Sequence, residues 1–348
     1  MKLSACMIVK NEEKMLERTL PNLSRYVDEI ILVDTGSSDN TAEVAKKFGA
    51  KVYHFAWIDD FSAARNESLK YAAGDWILWI DADEFMTEED LKVLRSTLEV
   101  SNFSFHSFTL FESKLGTCEK KNGYQRVKVF RNHLGYRFIR PINEQLVDAQ
   151  GKVLEGQLIP VCLYHWGQNL EEERMRKKRE WYVEQYRRAL ADNPKDSYYH
   201  YLLANKLNEL ERFEEALNHY QWAVEFASER KIKKEALEKL ADLYLRRKRL
   251  EEAAEAAQAL LNLDSKNIPA RNVFASIFLV TGKVDLAMAL LVEALQIKVG
   301  EGVENLYQMR AMPNFLLGKA YELKGQLAEA RACFGRAKEI CPEMFGAK

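Results

Sequence analysis

The chain has 348 residues, 47% of them hydrophobic and 30% charged, a length and balance that suit two soluble domains, each with its own core. Its net charge of −1 excludes an electrostatic footprint for nucleic acid or an anionic membrane spread over the whole molecule. No run is long and apolar enough to span a bilayer, and five scattered cysteines without a C-x-x-C pair read as reduced thiols, so a cytoplasmic setting is expected.

In chain order, Leu3 to Val9 reads as a first strand; it is too short for a membrane span and lacks a small-residue cleavage site. Asn11 is the expected cap of a helix carrying Met15, Leu16, Leu20 and Leu23 at helical spacing. Glu29 to Val33 is a second strand. Asp39 or Asn40 caps a helix ending near Gly49, and Val52 to Phe55 is a third strand. A helix over 61–73 precedes the apolar run Trp76-Ile77-Leu78-Trp79-Ile80, a buried strand that ends at Asp81-Ala82-Asp83. This βαβα order predicts a mainly parallel sheet with helices on both faces. After Thr87, the expected cap of the next helix, Ser104 to Phe111, Tyr124 to Phe130 and Val161 to His165 read as strands without long helices between them, so antiparallel or mixed pairing is expected there.

Near Leu170 the composition shifts. Glu171 opens a charged helix that runs toward Asp192 and stops at Asn193-Pro194. Beyond it only helical periodicity is visible. Ala216, Ala253, Ala287 and Ala330 each follow a turn-like segment, with Ala223, Leu260, Ala294 and Ala337 seven residues later. Twelve residues before them stand Ala204, Ala241, Ala275 and Gly318, and three after those Leu207, Tyr244, Phe278 and Tyr321. Small residues at fixed offsets let paired helices approach, and the large ones fill the gap. The pattern resembles tetratricopeptide (TPR) repeats, whose period is about 34 residues, here in about four copies. Ala257 and Leu291 depart from it where Tyr220 and Phe334 keep an aromatic, and Pro342 alone matches the closing proline.

Two carboxylates spaced i, i+2 at the carboxyl end of a parallel strand face the place where open α/β sheets bind ligands. Asp81 and Asp83 there suit a hard divalent cation bridging to phosphates. Asp34-Thr35-Gly36-Ser37-Ser38 leaves the second strand as a ligand-facing turn with free backbone N–H groups.

Taken together, "KNEE" from Lys10, "VDTGSSDNT" from Val33, "FSAARN" from Phe61 and "DADE" from Asp81 resemble the family 2 glycosyltransferases. They are similar to a bacterial subgroup in which some members glycosylate cysteine or serine of peptide bacteriocins. The resemblance covers roughly the first half, to His165. It implies a GT-A fold over 1–170, a connecting helix over 171–195 and a TPR domain over 196–348. It also implies a nucleotide-sugar site of Val9, Asn11, Glu12, Asp34, Thr35, Gly36, Arg65, Asp81 and Ala82. In that site Asp34 would lie beside the nucleoside, Arg65 at the nucleotide or its diphosphate, and Asp81 near the ribose. Asp83 would ligate Mn²⁺ or Mg²⁺, with His165 as a further ligand. Many members carry a second acidic residue at Thr35, so UDP is the default base rather than a reading of it. In similar sequences a histidine stands at Asn143; Glu144 beside it is the expected general base. Glu84 and Asp148 are weaker candidates.

The expected activity is therefore a metal-dependent, inverting transfer of a hexose from a nucleotide-diphosphate sugar to a hydroxyl or thiol of a peptide, protein or glycan. A homodimer through the repeats is an equal use of them. The alternatives are an interaction scaffold with a degenerate sugar-nucleotide fold, a transferase acting on a cell-surface glycan, and a nucleotidyltransferase. Arg174 to Arg179 either reaches the diphosphate or forms a solvated face. Lys120, Lys121, Arg126, Lys128, Arg131, Arg137 and Arg140 are expected mostly at solvated strand edges.

Overall fold

The computed structural model describes residues 1–118, 120, 123–166, 172–298 and 306–342. Expectations that fall on Lys121, Gly167, Leu170 and Glu171, and on the side chain of Arg174, lie outside the described residues. The chain divides into two compact units, Met1–Leu170 and Glu171–Lys348.

The first unit runs β1 (Leu3–Val9), α1 (Glu13–Leu23), β2 (Glu29–Asp34), α2 (Thr41–Lys47), β3 (Lys51–His54), α3 (Phe61–Lys70), β4 (Trp76–Trp79), β5 (Glu84–Phe85), α4 (Glu88–Val100), β6 (Phe105–Glu112), β7 (Tyr124–Arg131), β8 (Arg137–Ile139), β9 (Gln145–Val147) and β10 (Leu158–His165). Its sheet has the order β3-β2-β1-β4-β7-β6-β10-β5, and β8 and β9 form a separate antiparallel pair. Strands β1 to β4 are mutually parallel; β7 inserts antiparallel between β4 and β6, and β10 lies parallel to β6. The carboxyl ends of β1, β2, β4, β6 and β10 therefore share one edge. The connections leave β1 toward β2 and β3, then return to its other side at β4, which makes a topological switch point at that edge.

Alternation along each strand divides the core. Leu3, Ala5, Met7 and Val9 of β1 pack with Leu16 and Leu20 of α1 and Leu91, Leu94 and Leu98 of α4. Cys6, Ile31, Ile77 and Trp79 point to the other face, against Phe130, Phe138 and Leu146. Each fully buried leucine, such as Leu94, contributes about 2 kcal/mol. Thr87 caps α4 by accepting the Asp90 N–H, and Asp60 caps α3 through the Ala63 N–H. Asn11 does not cap α1. It sits at φ 58°, and its Oδ1 accepts the Ser38 N–H instead. Its short amide side chain tolerates that left-handed conformation.

The second unit holds α5 (Glu172–Asp192), α6 (Ser197–Glu209), α7 (Phe213–Phe226), α8 (Arg230–Arg246), α9 (Leu250–Leu263), α10 (Ile268–Val280), α11 (Val284–Gln296), a π-helical turn (Tyr307–Ala311), α12 (Met312–Leu323) and α13 (Leu327–Ile340). Helices α6/α7, α8/α9, α10/α11 and α12/α13 pair in succession, as TPR units do. The alanines at 204, 216, 223, 241, 253, 275, 287, 294, 330 and 337 are all buried. A Cβ on Gly318 would stand 2.7 Å from the Phe334 ring, so α12 and α13 approach as closely as glycine allows. Each pair turns through one left-handed residue: Glu211, Lys248, Gly282 and Gly325. The π-helical turn breaks the ordinary backbone ladder. Side-chain amides take up its carbonyls, Asn272 donating to Gln308 O and Asn314 to Arg310 O.

Candidate active site

The shared edge gathers the residues that the sequence singled out. Asp34 ends β2 buried, and its Oδ1 accepts the N–H groups of Gly36 and Ser37 at 3.0 and 2.8 Å. Thr35 is buried as well and donates its hydroxyl to Val9 O at 3.0 Å. Asn11 N–H donates to Ser37 Oγ and Glu12 N–H to Thr41 Oγ1, which ties the β1 and β2 loops together. Gly36 adopts φ 106° with open space where a Cβ would stand, so this turn accepts a close ligand. Ala82 is buried between the two aspartates.

Arg65, on α3, is only 8% exposed. Its Nη1 lies 2.9 Å from Asp81 Oδ1, its Nε donates to Glu144 Oε1 at 2.5 Å, and its guanidinium stacks 4.2 Å from the Trp79 ring centre. The guanidinium expected at the nucleotide is thus already engaged in joining two of the expected site carboxylates. Burial pushes the Asp81 carboxyl up, but Arg65 and Lys128 outweigh it and hold it at about 2.

At the far side, β5 pairs with β10 so that Glu84 faces His165 in register. This short strand, absent from the sequence reading, carries Asp83 to His165. Trp166 N–H donates to Asp83 O at 2.8 Å, and Phe85 stacks on Trp166. His165 Nε2 is 3.0 Å from Asp83 Oδ2 and its Nδ1 2.8 Å from Glu112 Oε2. The Asp83 hydrogen bond, assisted by Glu112 and opposed by burial, raises this imidazole to about 9. Nearby, burial and the Asp83, Asp39 and Asp81 carboxylates push Glu12 up to about 7.

Even with Arg65 on Asp81 and His165 on Asp83, the Asp39, Asp81 and Asp83 carboxylates crowd this edge closely enough to raise Glu12, which fits a divalent cation. Asp83 offers an oxygen donor, and His165 offers a nitrogen donor once a cation displaces the proton it shares with Asp83, a set that suits Mn²⁺ better than Mg²⁺. Among the described residues no group of three His, Cys, Asp or Glu is arranged to hold a metal unaided. A cation here would be completed by phosphate oxygens, the usual arrangement at phosphoryl sites.

Two expectations, for Glu84 and for Lys128, are corrected. Glu84 is no base facing substrate: it is buried, with both oxygens held by the Lys128 ammonium at 2.6 and 2.7 Å. Lys128 is no solvated strand-edge lysine but is wholly buried. Asp148 closes its own turn, accepting the N–H groups of Gln150 and Lys152. Arg131 stacks on Trp76 and donates to Ser101 O. In the second unit, Arg179 lies 3.3 Å from Glu209. Sequence reasoning missed the Lys128–Glu84 pair. Its signal was a lysine inside the apolar run Val127-Lys128-Val129-Phe130.

The first unit is a mainly parallel, Rossmann-like sheet with carboxylates at its switch point, and the second is a succession of paired helices. Residues 4–145 match glycosyl transferase family 2, and residues 209–268 and 311–344 match tetratricopeptide repeats. The first unit thus carries a family 2 glycosyltransferase domain and the second a TPR region. A TPR repeat-containing protein of Synechococcus elongatus is 38% identical over 205 residues, covering 56% of this chain and 49% of that protein. The SPbeta prophage-derived glycosyltransferase SunS of Bacillus subtilis is 24% identical over 222 residues, covering 62% and 52%. The chain spans about half the length of both relatives. The solved structure of S. aureus TarS 1-349 aligns over 73% of this chain and 89% of its own, at 16% identity and a TM-score of 0.42. Among the described residues no helix is long and apolar enough to cross a membrane.

Proposed function

We propose that the protein is a metal-dependent, inverting glycosyltransferase that moves a hexose from a UDP-sugar to a hydroxyl or thiol of a peptide or protein acceptor in the cytoplasm. In this reading residues 1–170 bind the donor, 171–195 connect, and 196–348 are the repeats. The observation that carries it is the pairing of Asp83 with His165, two residues beyond an Asp81 held by Arg65, at the carboxyl edge of a parallel sheet. The Gly36 turn would border the nucleoside, its shape held by Asp34, which accepts the Gly36 and Ser37 N–H groups that the sequence left free for a ligand. Asp83 and His165 would hold the cation, which when bound offsets the charge that develops on the departing diphosphate.

The chain's own residues do the rest. Arg65 fixes Asp81 and Glu144 relative to each other. Glu144 is the proposed base: Arg65 orients one oxygen and leaves the other to take the acceptor's proton as the acceptor attacks the anomeric carbon. Paired TPR helices offer a surface suited to an extended chain, which supports a peptide acceptor. Glu144→Gln tests the assignment. It should retain UDP binding and lose sugar transfer to water or peptide; transfer near the parent rate would move the base elsewhere.

A further inference from the structure

Lys128 and Glu84 form an ion pair with side chains 0% and 3% exposed. Such a pair, replaced by apolar side chains of similar volume, commonly leaves stability unchanged or raises it, because both ions are stripped of water. Stability alone therefore gives no account of it; the geometry does. Lys128 donates to both Glu84 oxygens and lies 3.5 Å from the Trp79 ring centre. Glu84 Oε2 accepts the Asp81 N–H at 2.8 Å, and Asp81 O accepts the Glu84 N–H at 3.1 Å. The turn from Asp81 to Glu84 is thus closed twice, once through the buried carboxylate. Glu84 then starts β5, whose pairing with β10 brings Asp83 to His165.

We propose that Lys128 and Glu84 are positioning residues of the D-x-D turn. Lys128 holds Glu84, Glu84 holds the Asp81 N–H, and together they set how Asp81 and Asp83 present their carboxylates to a nucleoside diphosphate and its cation. Neither side chain touches substrate. The role rests on the glycosyltransferase reading of the site.

The test uses the full chain, UDP as probe, and calorimetry with Mn²⁺ or with EDTA. Glu84→Met/Lys128→Met removes both charges and keeps the volume. Its thermal midpoint should stay at or above the parent's. Its Mn²⁺-dependent affinity for UDP should fall about tenfold to a hundredfold, the usual cost of losing a partner one step behind the ligands. Binding in EDTA should change far less, whereas general loosening would weaken both alike. Glu84→Gln/Lys128→Met keeps an acceptor oxygen for the Asp81 N–H and should recover most of the loss. A folded Met/Met variant that binds UDP and Mn²⁺ like the parent overturns the proposal. So does failure of both double variants to fold, which would make the pair structural. A parent that binds no UDP with Mn²⁺ fails at the earlier step, and overturns the donor-site reading along with this one.

Discussion

Replacing Arg65 with methionine is the sharpest perturbation of the site. It removes a buried cation and leaves Asp81 and Glu144 without the guanidinium that now contacts them at 2.9 and 2.5 Å. Breaking a buried pair from one side costs about 3–5 kcal/mol, because the abandoned charges stay out of water. The pH dependence has a definite sign. In the parent, Asp81 titrates at about 2 in the folded state against an ordinary 3.8. That stabilisation, about 2 kcal/mol, is complete above 3.8 and is lost as pH falls toward 2. In the variant burial is less opposed, the carboxyl titrates higher, and the penalty is greatest at neutral pH and shrinks as the carboxyl takes up a proton. The assay is urea unfolding in a Trp181→Phe/Trp222→Phe background, where Trp57, Trp76, Trp79 and Trp166 report the first unit alone. Arg65→Met should lower its unfolding free energy by about 3–5 kcal/mol at neutral pH, with a smaller gap near pH 4. A loss below about 1 kcal/mol, the scale of a surface pair, or a gap that widens with acid, would refute the reasoning.

Two further outcomes test the repeats. Gly318→Ala should destabilise the second unit by roughly 0.5–2 kcal/mol in chemical denaturation, because overpacking against Phe334 exceeds the gain in helix propensity, and Phe334→Leu should restore it. His200 Nε2–H donates to Pro194 O, so His200 Nδ1 accepts and His219 Nδ1–H donates across 2.9 Å. Burial, then His200, lowers His219 to about 4 from 6.5. The unfolded chain therefore binds more protons across that interval, and the second unit's stability should fall as pH drops from 6.5 toward 4. Scanning calorimetry should show this slope reduced in His219→Gln; an unchanged slope would contradict the assignment.

Much of the architecture was legible because it is periodic. The near-continuous apolar runs Leu3–Val9 and Trp76–Ile80 marked central strands whose two faces are both covered. Small residues at fixed offsets marked the helix pairs, since a side chain larger than alanine at those positions would hold the helices apart. What stayed hidden depends on partners distant in sequence. Two-residue β5 and three-residue β8 and β9 are too short to carry a period, and pairing alone defines them. Arg65 meets Glu144 across 79 residues, and Lys128 meets Glu84 across 44. A lysine in an apolar run signals either an edge or a buried pair, and only the fold chooses between them. Asn11 looked like a cap because asparagine serves both as a cap and in the left-handed region it occupies here.

The central claim is that Asp83 binds a cation that in turn holds a diphosphate. Titration of UDP into the parent chain and into Asp83→Asn, each with Mn²⁺ and with EDTA, measures this directly. The account predicts Mn²⁺-dependent binding by the parent, weakened about tenfold or more by the substitution. Equal UDP affinity in all four titrations would contradict it.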